Sequence, residues 1–92
     1  MDKKERKKMH KLTEFKSLLK KKGISTAIFF GEDKNINYFT GFDGFACLII
    51  PITKSPKLFV PDLEYTRAKE TSTIKPTKWE KDIYKDIKKI VK

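Results

Sequence analysis

The residue types that usually carry catalysis are scarce in this sequence. Its 92 residues include one histidine, His10, and one cysteine, Cys47. A protein metal site needs several His, Cys, Asp or Glu ligands that converge on one point, and a nucleophilic serine or cysteine needs a base beside it. The serines have no glycine-elbow context, and the sequence has no Gly-rich phosphate loop. The sequence therefore predicts that this chain alone has no catalytic residue and binds no metal.

The surroundings of His10 and Cys47 favour structural roles for both residues. His10 lies among lysines on the polar side of a predicted helix, so we expect it to be exposed. Cys47 lies in the apolar run FACLII, residues 45–50, where a cysteine behaves as a small buried hydrophobic residue. The apolar runs are too short to cross a bilayer, and the N-terminal charges have no apolar segment behind them. These features predict a cytoplasmic protein with no membrane contact.

Two segments stand out as candidates for function: NINYFTGFDGF, residues 35–45, and KLFVPDLEYTRAKE, residues 57–70. The glycines at 41 and 44 predict a sharp turn between a helix and a strand. In one interpretation, Phe42 and Phe45 fill the core beside that turn. In the other, Phe42, Asp43 and Phe45 project from it toward a ligand or a partner. The pattern alone leaves both open.

The hydrophobic periodicity predicts alternating helices and strands around these segments. The predicted elements are a helix over 5–22, a strand over 24–30, a helical turn over 35–40, strands over 45–52 and 57–60, a helix over 63–71, a strand over 73–79 and a final amphipathic helix carrying Ile83, Ile87, Ile90 and Val91. The continuous apolar run at 24–30 predicts a central strand covered on both faces. Helices between strands predict one α/β domain over residues 1–92, with three α/β/α layers and a mixed sheet that includes a hairpin.

Several residues are suited to begin or end the predicted helices. Asp33 and Asn35 are both candidate N-caps for the short helical turn, and Gly41 is its expected end. Pro61 fits the start of the next helix, and Asp62 is expected to cap its free backbone amides.

The net charge of +10 raises the question of a nucleic-acid partner. The charge lies at the two ends: residues 1–22 carry ten basic and three acidic side chains, residues 23–77 carry six of each, and residues 78–92 carry six and three. Lysine on the solvated face of an amphipathic helix is ordinary. Only Arg6 and Arg67 could make bidentate contacts to phosphate or guanine. The composition therefore disfavours a nucleic-acid-binding function, which stays a third alternative.

The two segments resemble the N-terminal domain of prolidases and related metallopeptidases of the creatinase and aminopeptidase P superfamily. That domain typically shows Asn, two residues, Tyr, a bulky residue, Ser or Thr, and Gly. Its third strand and the following helix are similar to the second segment. The matching positions are Asn35, Tyr38, Phe39, Thr40 and Gly41 in the first segment and Phe59, Val60, Pro61, Leu63, Glu64, Tyr65, Ala68, Lys69 and Glu70 in the second. Lys22, Gly23 and Ile24 also match the end of the family's first helix.

This resemblance implies a ribonuclease H-like fold and a role beside a catalytic domain that lies outside this chain. The catalytic domain would bind two divalent metals, Mn, Co or Zn, and cleave Xaa-Pro dipeptides. The N-terminal domain would mediate a homodimer and line the rim of the active site, in trans in some members, with Phe42, Asp43 and Phe45. The resemblance also implies that the chain ends before the N-terminal domain is complete. The main alternative is a metal-less interaction module of the same superfamily.

Overall fold

A computed structural model describes residues 3–79, without the side chains of residues 4 and 5. The order of helices and strands agrees with the order predicted for this part of the chain. The elements are α1 (Lys3–Lys21), β1 (Thr26–Gly31), α2 (Lys34–Thr40), β2 (Ala46–Pro51), β3 (Lys57–Val60), a 3₁₀ turn (Asp62–Glu64), α3 (Tyr65–Thr71) and β4 (Pro76–Lys78). The predicted final helix lies outside the described residues.

The four strands form one sheet in the order β1-β2-β3-β4. Strand β2 pairs antiparallel with both β1 and β3, whereas β3 and β4 are parallel. The antiparallel β2–β3 pair is the predicted hairpin, and the parallel β3–β4 pair is connected through α3, as a crossover requires. The predicted mixed sheet of an α/β domain is therefore confirmed.

One face of the sheet packs against all three described helices. Leu48 lies opposite Phe29 on one side and Leu58 on the other, so these three side chains point to the same face. They meet residues from each helix in one hydrophobic cluster. Its buried members are Leu12, Ile36, Phe39, Phe42, Ala46, Leu48, Ile50, Leu58, Val60 and Ala68, with Phe15, Phe29, Tyr65 and Ile74 partly buried around them.

The other face carries a smaller cluster around β2. Cys47, Ile49 and Phe59 are buried there, with Trp79 packed against them. On β1 the same face carries Ile28 and Phe30, whose exposed fractions are 45% and 52%. The prediction that this strand is central and covered on both faces was wrong, because β1 lies at the end of the described sheet. An unbroken apolar run does not tell a fully buried strand from one with a half-exposed apolar face.

Burial in this second cluster gives Cys47 a pH-dependent contribution to stability. The predicted burial of Cys47 is confirmed, and it raises the pKa of the thiol from 9.0 to about 11. Between these pH values the folded protein keeps a proton that the unfolded chain releases, so stability falls as pH rises. We expect a loss on the order of 1 kcal/mol per pH unit across this window.

Urea denaturation of the wild type and of Cys47→Ala between pH 8 and 11 measures this contribution. The variant removes the thiol but keeps every lysine and tyrosine, so the difference between the two curves isolates Cys47. Equal slopes in the two proteins would show that the thiol does not titrate differently in the folded state.

Candidate functional site

Helix α2 and its two end residues position the first candidate segment. Asp33 is the N-cap: its Oδ1 accepts hydrogen bonds from the backbone amide of Asn35 at 2.8 Å and from Asn35 Nδ2 at 3.0 Å. Of the two candidate N-caps in the sequence, Asp33 and Asn35, Asp33 is therefore the N-cap in the structure. Gly41 ends the helix as predicted, with φ of 84°, and its amide donates to Asn37 O at 2.8 Å. A side chain at Gly41 would be strained in this left-handed conformation.

Thr40 connects the end of α2 to the loop that follows. It is fully buried, and its hydroxyl donates to Ile36 O at 2.7 Å and accepts from the Phe42 amide at 3.0 Å. Its carbonyl accepts from the Thr73 amide at 2.7 Å. A buried polar residue is tolerated only when its groups are paired. Thr40 thus holds the loop by local bonds, and a serine or threonine is the residue type suited to do so.

The loop residues 42–45, which we call the rim loop, place their three candidate side chains differently. Phe42 is fully buried in the main cluster. Asp43 is exposed, with 70% of its side chain accessible. Phe45 is partly buried and makes edge-to-face contacts with Phe30 at 5.3 Å and Trp79 at 5.5 Å between ring centroids. The surface of the rim loop is therefore formed by Asp43 and Phe45, while Phe42 anchors it from below.

The second candidate segment lies beside the rim loop. Pro61 precedes the 3₁₀ turn, and Tyr65 is the first residue of α3. The Tyr65 side chain is partly buried against the main cluster. Asp62 makes no capping hydrogen bond, so its predicted role as a cap was wrong. Its carboxylate instead lies 3.1 Å from Lys78 Nζ at the end of β4, and the amides at the start of this segment are in a 3₁₀ turn rather than an α-helix. The Lys78 ammonium also lies 4.9 Å from the centre of the Tyr65 ring.

Arg67 on α3 joins the two candidate segments. Its Nη1 donates to Asp43 Oδ1 at 2.5 Å, and its Nη2 donates to Glu64 Oε2. The guanidinium carbon lies 4.9 Å from the centre of the Phe42 ring. Hydrogen bonds to Asp43 and to Glu64 raise the pKa of Arg67 above its usual value, so the group stays charged. The i,i+3 spacing in the sequence is compatible with Glu64 as a partner of Arg67, but no local sequence pattern indicates Asp43 as its second partner, 24 positions away.

Cations on α1 pack against the other side of α2. Lys8 Nζ donates to the carbonyls of Asn37 and Tyr38 at 3.0 and 2.7 Å, where the negative end of the helix dipole lies. Tyr38 is half-exposed, and Lys11 Nζ lies 4.2 Å from the centre of its ring. These contacts fix α2 from outside the core and were not foreseen from the sequence.

The described residues contain no assembled metal-binding set. Within residues 3–79, no three His, Cys, Asp or Glu side chains come close enough to hold an ion. His10 is exposed, as predicted, and its Nε2 lies 2.8 Å from Oε1 of Glu14, one turn further along α1. In this same range no helix has both the length and the apolar character that crossing a membrane requires.

A comparison with models of protein families shows which family this chain belongs to. The model for the creatinase/prolidase N-terminal domain matches residues 11–92, which include both candidate segments. The chain belongs to this family. Nineteen chains in solved structures are also similar to it, whereas no curated protein sequence matches.

Three of these structures illustrate how far the similarity of this family member extends. It is 30% identical to the creatinase/prolidase N-terminal domain of an X-Pro dipeptidase from Streptococcus pyogenes, with a TM-score of 0.71. It is 29% identical to the prolidase from Pyrococcus furiosus, with a TM-score of 0.69. It is 22% identical to an aminopeptidase P from Streptococcus thermophilus, with a TM-score of 0.73, which shows a common fold.

The matches cover most of this chain but only part of its relatives. The alignments cover 88% of the chain and 66% of the Streptococcus pyogenes domain, and 91% of the chain and 25% of the Pyrococcus furiosus prolidase. The corresponding shares for the aminopeptidase P are 95% and 65%. The chain therefore spans about two thirds of the Streptococcus pyogenes domain and of the aminopeptidase P chain, and a quarter of the Pyrococcus furiosus prolidase.

Proposed function

We propose that this chain is the non-catalytic N-terminal domain of a metal-dependent Xaa-Pro dipeptidase. The family match over residues 11–92 carries the proposal. Among the similar structures, a dipeptidase domain and a prolidase are 30% and 29% identical to the chain, and an aminopeptidase P is 22% identical. This difference supports a dipeptidase over an aminopeptidase P as the full-length form.

The chemistry of the described residues supports a non-catalytic role. His10 is exposed and already paired with Glu14, and the Cys47 thiol is buried with a raised pKa, so it is protonated near neutral pH. Residues 3–79 do not fit the two divalent metals, Mn, Co or Zn, that the full-length enzyme would use. In this proposal a separate catalytic domain would hold both metals, and the chemistry that they would supply there is polarisation of the peptide carbonyl and activation of a water.

The proposed contribution of this domain is a dimer contact and the rim of the active site. Ile28 and Phe30 on β1 leave an apolar surface beside Phe45, which suits contact with the catalytic domain or with a second copy. Asp43 and Phe45 on the rim loop would line the mouth of the site, toward the Xaa-Pro dipeptide. We also propose a cytoplasmic location for the full-length protein.

An Xaa-Pro hydrolysis assay tests the proposed function. With added Mn²⁺ or Co²⁺, we expect the 92-residue chain to release no proline from Ala-Pro, and the chain continued by the polypeptide encoded after Lys92 to release it. Pro-Ala, with the same two residues reversed, is the matched control substrate and should stay intact.

Two outcomes separate the alternative functions. Turnover by the 92-residue chain itself would overturn its non-catalytic role. A downstream coding sequence without two Asp, one His and two Glu in a catalytic domain would favour the metal-less interaction module.

Light scattering of the chain in solution tests the dimer, and a strictly monomeric protein at high concentration would contradict a dimer contact within this domain.

A further inference from the structure

The rim loop is held from outside by one side chain. The Arg67 guanidinium donates from Nη1 to Asp43 on the loop and from Nη2 to Glu64 on the 3₁₀ turn. Each carboxylate is bound by a different nitrogen of the same planar group. The two carboxylates are 21 positions apart in the sequence, from Asp43 to Glu64, so the guanidinium connects two segments that are distant in the chain.

The same guanidinium also packs against the loop residues on either side of Asp43. Its carbon lies 4.9 Å from the centre of the buried Phe42 ring, within the range of a cation–π contact. Gly44 is buried beneath it: a Cβ there would overlap Glu64 Oε2 and Arg67 Nη2 and would lie 2.6 Å from Phe42 Cζ. Arg67 and Glu64 therefore close directly over the loop backbone, and three consecutive loop residues contact the pair.

We propose that Arg67 is a positioning residue of the rim loop: above the core-anchored Phe42, it holds Asp43 and Gly44 in one conformation, so that Asp43 presents a fixed, charge-compensated carboxylate. The loop geometry stands on the contacts of this chain alone. Its role at a substrate mouth rests on the proposed function. Because Arg67 already neutralises part of the charge on Asp43, the loop shapes the rim and does not capture a substrate amine through a free carboxylate.

Holding the rim loop in this way requires an arginine and not merely a positive charge. A planar guanidinium can donate to two carboxylates from separate nitrogens while its face lies over an aromatic ring. A lysine ammonium keeps the charge but has neither the fork nor the flat face. Arg67→Lys should therefore fail to replace Arg67, whereas a purely long-range charge effect would be preserved by this variant.

Backbone dynamics of the 92-residue chain, measured by ¹⁵N NMR relaxation, test the positioning role. In the wild type we expect order parameters of about 0.85 for Asp43 and Gly44, and values lower by about 0.1 or more in both Arg67→Ala and Arg67→Lys, because Phe42 and Phe45 still anchor the two ends of the loop. Leu48 in the core should not change. Asp62→Asn is the matched control, because it removes another exposed carboxylate of an ion pair, with Lys78, beside the same helix.

High salt provides a measurement that needs no variant. Because the Asp43–Arg67 pair is exposed, 1 M NaCl, where the Debye length is about 3 Å, should lower the order parameters of the rim loop in the wild type. An unchanged loop in Arg67→Ala would overturn the inference. Equal loosening of Leu48 and Gly44 would also overturn it, because Arg67 would then serve general stability.

Steady-state kinetics of the protein that includes the proposed catalytic domain test the position of the rim loop at the active site separately from its rigidity. Arg67→Ala is expected to raise KM for Ala-Pro at least threefold while kcat changes less than twofold, because a loose rim weakens substrate positioning without removing a reacting group. If the loop loosens by NMR but KM is unchanged, the positioning role stands and the proposed rim location is wrong.

Discussion

Replacing Phe42 with alanine is expected to lower the free energy of unfolding by about 3–5 kcal/mol. The ring is fully buried in the main cluster and lies beneath Arg67. The surrounding strands and helices cannot collapse fully into the space left by a phenyl group. A chain of this size has a total stability of roughly 5–14 kcal/mol, so the variant should lose a large part of it and, at the low end of this range, be close to unfolding. Urea denaturation followed by far-UV circular dichroism measures the change.

Leu63→Ala is the control for this experiment. Leu63 lies in the neighbouring 3₁₀ turn and is 96% exposed, so its truncation should change stability by less than about 0.5 kcal/mol. The comparison also separates the two interpretations of Phe42 that the sequence left open. A loss below about 1 kcal/mol for Phe42→Ala would mean that the ring is not an essential part of the core.

Local signals in the sequence were sufficient to predict much of the fold. A glycine after a periodic segment indicated the end of α2 at Gly41, and the structure has that residue in the left-handed conformation that favours glycine. The apolar runs on either side of a turn indicated the β2–β3 hairpin. Each of these features depends on residues within a few positions of one another, which is why a single sequence can reveal it.

Features that depend on distant residues were missed or misjudged. Whether β1 is central depends on its place in the strand order, which its own residues do not encode. The Asp43–Arg67 pair joins residues 24 positions apart, and Lys8 reaches the end of α2 across 29 and 30 positions. In the candidate site, residue types were therefore predictable, but the contacts that determine which of them are exposed were not.

Replacing Gly44 with alanine is the second substitution for which we expect a large effect. Gly44 is not among the positive-φ glycines, Gly23, Gly31 and Gly41, so the variant adds no backbone strain of that kind. Its Cβ would instead overlap the terminal atoms of the Glu64 and Arg67 side chains, which can move aside, and would lie 2.6 Å from Cζ of the Phe42 ring, which is held in the core. Overpacking of this kind costs about 1–3 kcal/mol. Urea denaturation of Gly44→Ala against the wild type measures the cost.

A double-mutant cycle with Arg67→Ala shows where the cost of Gly44→Ala arises. Removing the guanidinium takes away one of the groups that the new Cβ meets, so Gly44→Ala should cost less in the Arg67→Ala background. The contact with Phe42 remains, and the cost should not vanish. Gly23→Ala is the matched control: Gly23 has φ of 73° and nothing within 4 Å of its Cβ position. Its cost comes from the backbone, so it should be the same in both backgrounds. If Gly44→Ala costs the same in both backgrounds, the guanidinium does not restrain the rim loop and the cost arises at Phe42.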